Sequence, residues 1–201
     1  IDGFSRMLLG DEQELKEESK RKIQVIRKSA ENMDRLIQDL LLFSKSSQTP
    51  LARGRIDMNR LVGEVCREQL NANPDRQISF QTENLPEAEG DKTLIRQVMS
   101  NLVANAVKFT RKRKRALITI GGTQAESENI YRIDDNGAGF DMKYYDRLFG
   151  VFARLHSESD YEGTGIGLAI VQRIVHRHGG RVWAEGRLGK GATFYFSLPK
   201  G

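Results

Sequence analysis

Asn101-Leu-Val-Ala-Asn105-Ala-Val-Lys108-Phe109 decides how this chain is read. It closes an apolar-periodic stretch that opens at Asp91, and this spacing predicts a long helix over 91–109 with Asp91 as its N-cap. Asn101 and Asn105 then lie four residues apart on one face, with Lys108 on the neighbouring turn. Asn is a poor helix former, so the pair taken alone says only that something polar is nearby, including bonds within the helix itself. Order and spacing give it weight, because Asp135-Asn-Gly137-Ala-Gly139 and then Gly163-Thr164-Gly165-Ile166-Gly167-Leu168 follow along the chain.

Each of these pieces suits one part of a nucleotide. An amide carbonyl is a hard, neutral oxygen fit for Mg²⁺, which takes few protein ligands and keeps water and phosphates as the others. Lys108 can neutralise phosphate as a point cation. Asp135 follows a predicted strand over 129–133, where a carboxylate can accept from an exocyclic amine such as that of adenine, and the glycines let the backbone approach a flat ring. From that segment alone an Asn-Gly turn is an equal reading. Gly163 to Gly167 runs straight into an apolar helix whose first N–H groups can bind phosphate, although a flexible loop with close helix packing gives the same pattern. The glycine spacing is neither a P-loop nor a Rossmann fingerprint. Phe149-Gly-Val-Phe152-Ala-Arg154-Leu-His156 and the polar stretch 157–162 suggest a lid, from which Arg154 can reach a phosphate.

Outward from these motifs, the mixed pattern over 51–201 predicts a two-layer α/β sandwich. Strands are expected at 55–58, 78–82, 117–120, 129–133, 181–185 and 192–198, and helices at 59–70, 91–109, 142–149 and 166–178. Fourteen of the 19 glycines fall in 121–201, so the loops of that half carry the ligand chemistry.

Upstream the pattern is different. Ile23, Ile26, Ala30, Met33, Ile37 and Leu40 recur at alternating steps of three and four within a helix over 12–46, a seam with the heptad period that needs an apolar partner. Phe4, Met7 and Leu8 offer one on a preceding helix, with Gly10-Asp-Glu-Gln as the turn of a hairpin. Two helices bury little, so two copies of a hairpin over 1–46 forming a four-helix bundle are the expected completion. Residues 47–50, within Ser44-Lys-Ser-Ser-Gln-Thr-Pro50, read as the linker between the two units.

Composition excludes several classes. No run approaches the roughly 18 apolar residues of a membrane helix, no signal peptide is visible, and one cysteine, Cys66, forbids an internal disulfide framework; the expectation is a cytoplasmic location. Arg111-Lys-Arg-Lys-Arg115 accounts for the whole net charge of +5, leaving 27 basic residues against 27 acidic ones. One short basic run without interleaved aromatics reads as a solvated loop rather than a nucleic-acid groove, and no nucleic-acid partner is expected.

The ordered set resembles the sensor histidine kinases, within the ATPase superfamily shared with gyrase, heat-shock chaperones and mismatch-repair proteins, and is most similar to the phytochrome-like or PAS-linked branch. The resemblance rests on an asparagine box at 101–109, glycine boxes at 135–139 and 163–168, a phenylalanine box at 148–152 and the closing Gly189-Lys-Gly191-Ala-Thr193-Phe. It implies a dimerisation and phosphotransfer hairpin at 1–46 and an ATP-binding domain over 51–201, transferring the γ-phosphoryl of Mg·ATP to a histidine for relay to a response regulator. It further implies Asn105 as the Mg²⁺ ligand, Lys108 and Phe109 as nucleotide contacts, Asp135 as the adenine partner, 163–168 as phosphate amides and Thr193 on the far side of the adenine pocket. The family's acceptor histidine would lie upstream of Ile1, since His156, His176 and His178 match no such position. Ala104 stands where many relatives carry a carboxylate, which argues against water activation. The alternative is a dimeric signalling scaffold that binds nucleotide without transferring it.

Overall fold

The computed structural model describes residues 17–45, 50–155, 160, 161 and 163–200. The first helix of the expected hairpin, its turn, most of the linker and residues 156–159 and 162 of the expected lid lie outside them. Helix α1 spans Glu17–Lys45. Its Cα trace comes within 8 Å of the last helix of the chain, so it is not isolated from the second unit. Even so, Val25, Ile26, Met33 and Ile37 are each at least half exposed.

From Arg53 onward the chain folds as β1 (Arg53–Ile56), α2 (Met58–Ala72), β2 (Ile78–Thr82), β3 (Ala88–Asp91), α3 (Lys92–Phe109), β4 (Ala116–Gln124), β5 (Glu128–Asp135), a short 3₁₀ turn (Met142–Arg147), α4 (Gly167–Arg177), β6 (Val182–Arg187) and β7 (Gly191–Pro199). Five strands form one sheet in the order β2-β4-β5-β7-β6, with only the β2–β4 pair parallel. β1 and β3 make a separate antiparallel ribbon.

Three elements differ from the sequence reading. Asp57 accepts from the Arg60 N–H at 2.9 Å, so α2 is capped there and starts at Met58, which ends the strand at Ile56 rather than Met58. β3 was not expected, because Ala88-Glu-Gly-Asp91 carries no strand-forming residue; pairing with β1 supplies the order that propensity does not. The 142–149 helix is instead a 3₁₀ turn ending at Arg147.

Burial follows the periods. β5 alternates strictly, burying Asn129, Tyr131, Ile133 and Asp135 on one face. Over that face α3 places Ile95, Val98, Met99, Leu102, Val103, Ala106 and Val107, and α4 places Ile170, Val171, Ile174 and Val175. The core is therefore one continuous layer between three helices and the sheet. Tyr131 and Phe196 stack in it with centroids 4.9 Å apart.

Both ends of α3 are pinned. Asp91 accepts from the N–H groups of Thr93 and Leu94 at its start. At its end the Thr110 hydroxyl bonds back to the carbonyl of Ala106 at 2.8 Å, and Arg76 donates to that of Val107 at 2.7 Å. The helix that carries the asparagines is thus fixed along its length.

Candidate nucleotide site

A cavity of about 390 Å³ opens between the C-terminal half of α3, the end of β5 and the start of α4. Of the sequence-predicted residues, Asn101, Asn105, Lys108, Phe109, Asp135, Gly139, Arg154, Gly163, Thr164, Gly165, Gly167 and Leu168 line it. They come from four segments spread between Asn101 and Leu168, brought together by the packing of α3 against α4.

At one end sits Asp135, the last residue of β5 and 5% exposed. Burial pushes its carboxyl up to about 6, against the opposing pull of the Gly137 and Ala192 N–H groups and of Arg113. The Gly137 N–H donates to its Oδ1 at 2.8 Å. The glycine loop is also tied to α3, since the Ala138 N–H donates to the carbonyl of Phe109. Close approach makes two glycines obligatory here: a Cβ on Gly139, at φ 61°, would stand 2.0 Å from the Arg187 carbonyl oxygen, and one on Gly191 would stand 1.8 Å from that of Asp135.

At the other end lie Asn101, Asn105, Lys108 and the helix start. Asn101 donates to the Gln97 carbonyl at 3.1 Å, which holds its side chain along α3. Among the described residues the Asn105 amide has no hydrogen-bond partner although it faces the cavity. Burial, with Arg154 nearby, pulls Lys108 down to about 8, and its Nζ lies 4.4 Å from the centre of the Phe109 ring. The first helical bond of α4 runs from Ile170 N–H to Ile166 carbonyl, so the N–H groups of 167–169 have no acceptor within the helix. Gly165 turns the chain into that helix at φ 75°, where a Cβ would meet the Phe152 backbone at 2.9 Å.

Three predicted residues stand off the cavity. Ile166 is fully buried in the core beneath α4, and Gly137 serves through its backbone bond to Asp135. Thr193 is a correction: it pairs with Asp134 on the opposite face of the sheet, and its hydroxyl donates to the Asp134 carboxylate at 3.0 Å. Strand alternation gives the cavity face to Ala192 and Phe194 instead. That parity was available once Asp135 was paired with Ala192. Phe140, Leu148, Ala153, Leu155 and Tyr161 complete the wall. Tyr161 meets Phe109 with centroids 5.1 Å apart, a contact with no signal in the sequence.

The basic run 111–115 is an exposed loop, as expected, but three of its side chains are engaged. Arg111 donates to the Asp160 carbonyl, Lys112 pairs with the Asp160 carboxylate, and Arg113 donates to three backbone carbonyls around the glycine loop.

An acid at the apolar end, cations and open amides at the other and an unengaged amide between them make a site of nucleotide size and polarity. The family described as histidine kinase-, DNA gyrase B- and HSP90-like ATPase matches residues 90–201, and the histidine kinase A phospho-acceptor domain matches residues 1–49. Cyanobacterial phytochrome A of Nostoc sp. is 36% identical over 84% of this chain and 22% of its own length. A full-length ShkA structure in complex with AMPPNP superposes at a TM-score of 0.74 with 26% identity, covering 99% of this chain and 42% of that one. The histidine kinase ThkA in complex with the response regulator TrrA has the same fold at a TM-score of 0.73 and 24% identity, over all of this chain and 57% of that one. The chain belongs to the sensor histidine kinases. It spans about a fifth to a quarter of the length of the curated relatives first matched.

Proposed function

We propose that this chain is the kinase core of a two-component sensor, with a hairpin over 1–46, a linker at 47–50 and an ATP-binding domain over 51–201. The cavity takes ATP with adenine at Asp135 and the phosphates between Asn101, Asn105, Lys108, Arg154 and the amides of 163–168. Asn105 is the protein ligand for Mg²⁺, since an unengaged amide oxygen fits a cation that takes few protein oxygens. The bound ion supplies charge neutralisation across the phosphates. Lys108 adds a cation on the same side, and the open N–H groups of α4 hold phosphate oxygens in place.

One observation carries the choice of a kinase over a hydrolase. Among the described lining residues Asp135 is the only carboxylate, and it sits at the opposite end from the phosphate groups, while Ala104 occupies the wall between Asn101 and Asn105. Among the described residues no acid is placed to activate water. An imidazole needs none: its nitrogen attacks the γ-phosphorus, the bond to the β-phosphate oxygen breaks, ADP leaves and the ring gives up a proton. The acceptor is a histidine of the hairpin preceding Ile1, and the phosphoryl group passes on to an aspartate of a response regulator. His178 is buried with both ring nitrogens engaged, so it is not that acceptor.

The ThkA complex with its regulator and the AMPPNP complex of ShkA support the partner and the nucleotide by analogy. Homodimerisation through 1–46 and a cytoplasmic location belong to the same reading; among the described residues no helix is long and apolar enough to cross a membrane. The test is a longer form of the protein that includes the preceding helix, incubated with ATP labelled on its γ-phosphate. Acid-labile label, absent in N105D and D135N, is expected; acid-stable label would overturn the assignment.

A further inference from the structure

We propose that Arg113 is a positioning residue for the nucleotide base, a fork that sets the loop beside Asp135. The guanidinium lies outside the cavity and draws together two loops. Its Nε donates to the Asn136 carbonyl at 2.6 Å, and its Nη2 donates to those of Gly137 at 2.9 Å and Gly189 at 2.5 Å.

The Gly137 residue it holds by the carbonyl is the one whose N–H, 2.8 Å away, orients the Asp135 carboxylate. Gly189, held from the β6–β7 turn, donates its own N–H to the Ala138 carbonyl at 2.6 Å. Arg113 therefore clasps both sides of the segment 136–138. Asn136 completes the frame from the other edge, its side chain accepting from Leu117 N–H at 3.0 Å and donating to the Arg115 carbonyl at 3.1 Å.

Glycines leave this loop soft, since Gly137 and Gly139 add backbone freedom and no side chain of their own. The strand ladder fixes the Cα of Asp135 but not the direction of its carboxylate. That direction comes from the N–H groups of Gly137 and Ala192, and the place of Gly137 comes from Arg113. Only a guanidinium presents enough donors in one plane to reach three acceptors at once; a lysine in the same position is a single point with a flexible stem.

This inference rests on the reading of the cavity as an ATP site. It predicts that Arg113 acts on recognition of the base rather than on general attraction of phosphate. The measurement is calorimetry of the 201-residue protein with Mg·AMPPNP and its guanine counterpart, reported as the ratio of the two dissociation constants. R113A should lower that preference for adenine about tenfold, the effect of roughly 1.4 kcal/mol lost at the base end alone. R113K should lower it nearly as much despite keeping the charge. K114A, which removes a neighbouring cation of the same run, should leave the ratio as in the wild type.

An unchanged ratio in R113A with weaker binding of both nucleotides would mean bulk charge, and full rescue by lysine would mean the same; either overturns the proposal. R113K carries the test by itself if R113A does not fold. Failure of the wild type to bind either nucleotide would remove the ATP reading, a result distinct from wild-type binding with indifferent variants.

Discussion

The backbone N–H of Asp91 donates to Nε2 of His178 at 3.0 Å, joining the N-cap of α3 to the C-terminal end of α4. Nδ1 of the same ring lies 2.8 Å from the Ile174 carbonyl oxygen. Only a neutral ring protonated at Nδ1 serves both partners. The two helices that flank the nucleotide cavity are therefore latched at their far ends by one uncharged imidazole.

That latch predicts a pH dependence of stability. Burial pushes the His178 pKa down, reinforced by Arg53 and Arg177 and opposed by the Ile174 carbonyl and Asp91. The unfolded chain takes up its proton near the ordinary value while the native ring does not. The contribution is thus complete above about pH 6.5 and is lost as pH falls below it. Urea midpoints measured from pH 8 to pH 5 should fall more steeply in the wild type than in H178A. The variant should also lose about 1–3 kcal/mol at pH 8, from the stranded Asp91 N–H. Parallel curves would refute the latch.

Asp135 titrates with opposite signs in binding and in folding. On the proposed role of the ionised carboxylate as acceptor for the adenine amine, affinity for an ATP analogue should fall as pH drops through about 6. In folding the native state holds this proton longer than the unfolded chain, so its contribution is fully present below about pH 4 and is lost as pH rises through 6. D135N should bind about 30- to 100-fold more weakly at pH 7, without that pH dependence, yet melt at a higher temperature. Titration calorimetry and thermal unfolding at matched pH decide it.

Asn105→Ala should remove the magnesium-dependent part of nucleotide affinity. With magnesium present the variant should bind an ATP analogue at least about tenfold more weakly, the scale of one lost ligand. In excess chelator the two proteins should bind alike. A difference that persists without the metal would show that the amide serves some other contact.

Three glycines near the base end separate close approach from backbone strain. Gly189 has φ 70° with open space around its Cβ position, whereas Gly139 and Gly191 have positive φ and a carbonyl oxygen at 2.0 and 1.8 Å. Gly189→Ala should cost about 1 kcal/mol from strain alone. G139A and G191A should cost about 3 kcal/mol or more and lower nucleotide affinity besides. Chemical denaturation of the three variants, with binding measured on each, checks the order.

On α1, Ile26, Met33 and Ile37 leave an apolar stripe at least half exposed. If that stripe is the dimer seam, M33E combined with I37E should shift sedimentation from dimer to monomer while nucleotide binding persists. A variant that stays dimeric would place the contact elsewhere.

The sequence by itself determined what depends on local chemistry and on period. Asp91 could be recognised as the α3 cap, the asparagines as sharing one face, and Gly163 to Gly167 as leading into a helix start, because caps, helical spacing and glycine turns are written in neighbouring residues. The tertiary structure decided what depends on pairing between distant segments. Thr193 and Ala192 differ by one residue, and only the register of β7 against β5 says which faces the cavity. β3 exists because β1 lies beside it, and Tyr161 reaches Phe109 across more than 50 residues of chain. Arg113 looked like one charge in a run of five until the fold placed three carbonyls around it. Hydrogen-bond acceptors supplied by remote backbone leave no trace in the residues that use them.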